Sequence, residues 1–157
     1  MRIGIWILCF FATAWAVAGT LLGQAPEWWI AIAAAISLGL VLLARRAPGL
    51  TQPPPHVRRL VRTWSAIEGV AMLGAIIVLA NLGRQDAIPP VFAIIVGLHF
   101  LPLAKGIPVR LYYVTGVALA ALGAAGLVAP ALSPVVVGWT AAAVLWASAL
   151  LLIRGVR

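Results

Sequence analysis

The chain has 157 residues, of which 64% are hydrophobic and 9% charged. That is more apolar surface than a soluble fold of this length can hide, and a bilayer accepts it directly. A net charge of +8 would point to nucleic acid in a soluble protein, but the cations stand in short runs between apolar segments, where they report membrane orientation instead; no nucleic-acid partner is expected.

Six apolar segments follow in order, at about 3–22, 27–44, 64–82, 88–104, 110–129 and 134–153. Each is near the ~20 residues needed to cross ~30 Å of hydrocarbon as a helix. The runs are continuous and rich in Ala, Leu and Gly, without the alternation of a barrel strand. The expectation is an all-α, polytopic transmembrane bundle of six helices forming a single domain.

The first segment starts behind Arg2 and contains Ala16-Val17-Ala18, the form signal peptidase accepts. It runs on to Leu22, long enough to span, and reads as an anchor that stays in place. Cys9, the lone cysteine, excludes an intramolecular disulfide and a cysteine zinc cluster and reads as packing. Prolines punctuate the connections at Pro26, Pro48, Pro53 to Pro55, Pro89-Pro90, Pro108, Pro130 and Pro134, so the turns are short. Residues 45–63 form the one long loop, with Thr51 to Pro55 extended and polyproline-like.

In a six-helix arrangement Arg2, Arg45, Arg46, Arg58, Arg59, Arg62, Lys105, Arg110, Arg154 and Arg157 collect on one side, and Arg84 stands alone on the other. The positive-inside rule then puts both termini and the 45–63 loop in the cytoplasm. His56 in that loop reads as a solvated residue. Arg58, Arg59 and Arg62 either carry only this orientation signal or also meet anionic lipid headgroups. An offset of sixty residues aligns Leu22-Gly23 with Leu82-Gly83 and Leu43-Ala44-Arg45 with Leu103-Ala104-Lys105, the pattern three copies of one hairpin would leave.

Inside the spans the ionisable residues that stand out are Glu68 and His99, groups that are costly in hydrocarbon and therefore mark a site or find a partner. Glu68 follows Arg62 by six residues on a helix leaving the cytoplasm, and His99 precedes Lys105 by six on the returning helix. Both thus sit roughly 9 Å inside the same face. Pro102 removes the donor for the Leu98 carbonyl and is expected to kink the fourth helix. Tyr112, Tyr113 and Thr115 lie at the same end of the fifth helix. The candidate ligand or proton site is therefore Glu68, His99, Tyr112, Tyr113 and Thr115, with Arg62, Lys105 and Arg110 at its rim.

Two readings of the pair stand side by side: it fixes the register of two helices, or it binds a small solute and exchanges a proton. One His and one Glu supply two metal ligands, too few for a dedicated site, and the sequence names no cofactor. Hydrolase and metalloprotease motifs are missing, which leaves a small membrane enzyme as a third reading, with Ser65 and Ser148 its only candidate nucleophiles. Gly116, Ala120, Gly123 and Ala124 give the fifth helix a small-residue face, suited to packing within the bundle or to a homodimer seam.

Gly97-Leu98-His99-Phe100-Leu101-Pro102-Leu103-Ala104-Lys105, then Leu111 to Gly116, together with Trp64 to Gly69, resembles a signature of small bacterial multipass membrane proteins of uncharacterised function. The resemblance implies a bacterial inner-membrane protein and singles out Glu68, His99, Pro102 and Tyr113. It brings no activity with it.

Overall fold

The computed structural model describes residues 2–45, 54–107, 109–129 and 132–155. Within them lie six helices: α1 (Arg2–Leu22), α2 (Trp28–Arg45), α3 (Pro55–Asn81), α4 (Ile88–Gly106), α5 (Leu111–Val128) and α6 (Pro134–Ile153), with a short 3₁₀ turn at Gln85–Ala87 before α4. All six are long and apolar enough to cross a bilayer, as an integral, multi-pass membrane protein requires. Expectations at Arg46, Pro48, Thr51 to Pro53, Pro108, Pro130 and Arg157 fall outside the described residues, as does the side chain of Arg2.

Five helices match the apolar segments within two residues. The exception is α3, which starts at Pro55 instead of near 64. The expected loop at 45–63 is therefore corrected over residues 55–63, which form the first turns of α3. Pro54 is extended (φ −52°, ψ 153°) and Pro55 opens the helix, where proline's missing N–H has no intrahelical partner to lose. His56, Arg58, Arg59 and Arg62 are excluded from hydrocarbon, but nothing in their backbone preferences excludes them from a helix. An apolar segment therefore marks where the membrane begins, not where the helix does.

The chain divides into two compact units. The first joins α1, α2 and α6, the second α3, α4 and α5. In the first, α1 turns Ile5, Leu8, Ala12 and Ala16 inward at helical spacing, leaving Trp6, Phe10 and Leu21 exposed. It meets α6 at a crossing where a Cβ on Gly19 would stand 3.0 Å from Gly138 Cα, and one on Gly138 would stand 2.6 Å from Gly19 Cα. Lipid tails are as apolar as leucine, so close backbone approach and interhelical hydrogen bonds supply the association. The bonds are present too. Ser37 of α2 accepts from Trp146 Nε1 of α6 at 2.8 Å and shares a 2.7 Å bond with the Thr13 hydroxyl of α1. Both hydroxyls reach the Cys9 carbonyl, at 3.0 and 3.2 Å. Towards the other end of α6, Trp139 Nε1 donates to Thr20 at 3.1 Å, and the Trp29 ring meets Trp139 edge-on at 5.4 Å.

The second unit is centred on α4, which packs against both α3 and α5. The face of α4 towards α5 buries Ala93, Val96, Gly97, Phe100 and Ala104. Gly116 and Gly123 of α5 close this seam: a Cβ on Gly116 would lie 2.7 Å from the Gly97 carbonyl oxygen, and one on Gly123 would collide with the Pro90 carbonyl. That small-residue face is thus occupied by α4. By contrast α3 buries none of its residues. It ends in a Schellman cap, with Arg84 N–H donating to the Leu79 carbonyl at 2.8 Å and Gly83 N–H to Ala80 at 3.1 Å; Gly83 takes φ 67°, the left-handed position this cap needs.

The residues aligned by the offset of sixty do not share a role. Gly83 is the left-handed cap with open space around it, whereas Gly23 is pressed against Val135 and the left-handed residue there is Gln24. The compact units also split the last hairpin, placing α5 in one and α6 in the other.

Candidate functional site

Glu68 and His99 meet across the α3–α4 contact inside the second unit. His99 Nδ1 stands 3.6 Å from Glu68 Oε2, and the two side chains are 10% and 11% exposed. Neighbouring antiparallel helices bring residues of equal depth together, which is why six residues on from Arg62 and six back from Lys105 converge. The separation exceeds the 2.7–3.2 Å of a regular hydrogen bond. Accordingly His99 Nδ1 is buried without a hydrogen-bond partner, a rare condition for a buried polar atom. The Trp64 backbone, one turn before Glu68, is a further polar neighbour of the ring.

The other expected residues take several positions. The Tyr112 ring of α5 lies tilted against Phe100, 5.6 Å between centroids, and Phe100 in turn meets the His99 ring edge-on at 6.0 Å. Tyr112 is thus linked to the pair through an aromatic ring. Tyr113 points outward, 42% exposed. Thr115 is buried in the α4–α5 seam, and its hydroxyl donates to the Leu111 carbonyl at 3.0 Å. Arg62 is exposed two turns into α3, and Lys105 and Arg110 are exposed at the adjoining ends of α4 and α5. Helix α4 continues through Pro102 to Gly106. Ser65 is exposed, and Ser148 donates to the Val144 carbonyl within its own helix.

A carboxyl and an imidazole at this spacing can hold one proton between them, as an ion pair or as a neutral pair, and both forms carry the same total charge. That makes the arrangement tolerable in a low-dielectric setting where a lone charge is not. No hydrogen-bonding side chain reaches His99 Nδ1 among the described residues. No group of three or more metal-ligating side chains occurs among the described residues either.

Sequence reasoning passed over the polar cluster at Ser37. Its signal was present in retrospect: Thr13 and Ser37 are hydroxyls near the middle of their spans, and Trp146 lies well inside its own, away from the interfaces that tryptophan favours. Comparison with protein-family models, with curated proteins and with solved structures finds no match to this chain.

Proposed function

We propose that this chain is a bacterial inner-membrane protein, both termini in the cytoplasm, whose Glu68–His99 pair takes up a small polar or cationic solute together with a proton. The carrying observation is the buried, unpartnered His99 Nδ1 with a carboxylate oxygen 3.6 Å away. Such an arrangement is open to a proton or a hydrogen-bonding group that a purely structural pair would already have satisfied. The orientation rests on the cation count, and the bacterial assignment on the signature around His99.

A second reading has the pair only locking α3 to α4, favoured by both side chains being largely shielded while α3 buries no residue fully. The two separate in one experiment. Native mass spectrometry of protein released from mild detergent should show a retained small molecule in the wild type that is lost in both Glu68→Gln and His99→Ala, with all three proteins equally helical. A wild type that carries nothing, with variants that differ from it only in stability, overturns the solute site and leaves the structural pair.

A further inference from the structure

We propose that a depression on the first turns of α3 binds the headgroup of an anionic phospholipid, with an acyl chain lying along the exposed face of the same helix. The depression is open, encloses about 500 Å³ and is lined by Pro55, His56, Arg59, Leu60, Thr63 and Trp64. These residues recur at helical spacing and form one face. Three of them, the His56 ring, the Arg59 guanidinium and the Thr63 hydroxyl, are hydrogen-bond donors along that face, the complement a phosphate oxygen seeks. Leu60 and the Trp64 ring add apolar surface and are half-buried. Leu60 is held against Gly106, where an added Cβ would strike it, so one wall of the depression is fixed by packing on α4.

Charge complementarity selects the occupant. At this end of the second unit Arg58, Arg59, Arg62, Lys105 and Arg110 are all exposed. The unit's two carboxylates lie elsewhere: Glu68 deeper and beside His99, Asp86 at the opposite end beside Arg84 at 3.4 Å. An anion approaching this end therefore meets five cations and no opposing charge. The face below the depression selects a lipid over a free anion. From Thr63 it continues through Ile67, Val70, Gly74 and Ile77 at steps of four and three residues, all exposed, with nothing within 4 Å of a Cβ built on Gly74. Donors at the interface followed by an apolar strip with a notch match a headgroup followed by its chain. This site is separate from the Glu68–His99 pair and does not depend on a role for it.

The test offers full-length protein in detergent an equal mixture of phosphatidylglycerol and phosphatidylcholine with identical chains, and counts retained lipids by native mass spectrometry. Wild type should retain phosphatidylglycerol in preference. Arg59→Gln should lower that retention about fivefold, the usual worth of one interfacial cation, while phosphatidylcholine is unchanged. Arg58→Gln, on the same turn but outside the lining, should have little effect. Equal losses from Arg58→Gln and Arg59→Gln would show diffuse attraction and overturn the site, as would an undiminished preference in Arg59→Gln. Displacement of phosphatidylglycerol by millimolar inorganic phosphate would make it a free-anion site and overturn the lipid.

Discussion

Replacing Gly97 by alanine adds one methyl group where the α4 and α5 backbones touch. The new carbon would stand 2.5 Å from the Ala120 backbone nitrogen, 2.6 Å from the Gly116 carbonyl oxygen and 3.0 Å from Ala120 Cα. All three are backbone atoms, so no rotamer change relieves the overlap. The helices must part by roughly 1 Å to restore contact distance, and dispersion attraction along the seam falls steeply over such a gap. Gly116 and Gly123 meet α4 in the same way, so the separation is felt over two further turns. Overpacking of this kind costs about 1–3 kcal/mol, and in a membrane no hydrophobic drive between helices offsets it. The unfolding midpoint in an SDS titration, followed by circular dichroism, should fall accordingly. Gly74→Ala is the matched control: the same chemical change on α3, with nothing within 4 Å of the added carbon. It should be neutral, or stabilising by up to about 1 kcal/mol through helix propensity. If Gly97→Ala proves as stable as Gly74→Ala, the claim that backbone contact holds α4 to α5 is wrong.

Two further outcomes are expected. A double-mutant cycle over Ser37→Ala and Trp146→Phe, read by the same titration, should give a coupling of about 0.6 to 1.7 kcal/mol, the range for interhelical hydrogen bonds in membranes; additivity would mean that the 2.8 Å bond contributes nothing net. The proposed orientation is open to cysteine labelling, since the native Cys9 is buried at 2% exposure and leaves little background. A membrane-impermeant maleimide should reach Gln85→Cys in intact cells and Lys105→Cys only after permeabilisation, and the reverse pattern would invert the topology.

The Glu68–His99 contact was legible before folding because membrane helices obey a simple geometry. Their axes run across a slab of known thickness, so counting from Arg62 and from Lys105 gives depth, and depth alone brought Glu68 level with His99. Depth does not give direction around a helix. Tyr113 stands at the right level and points outward, while Thr115, two residues on, is buried and bonded to its own helix. In a segment where every residue is apolar or small, hydrophobicity does not distinguish the face towards a neighbour from the face towards lipid. The same blindness concealed the Ser37 cluster, since a hydroxyl in a helix can satisfy itself on its own backbone and shows its interhelical bond only once Trp146 is beside it.

The sequence by itself determined the class of solvent, the number of spans and the ends of five helices, since these follow from the free energy of moving side chains between water and hydrocarbon, a property each residue carries alone. Only the tertiary structure decided that α3 begins at Pro55, that α1 pairs with α6 and α4 with α5, and that Gly19, Gly97, Gly116 and Gly138 are where backbones touch. Those outcomes depend on the shapes of two surfaces at once, and glycine at an open position such as Gly74 is indistinguishable by letter from glycine at a crossing.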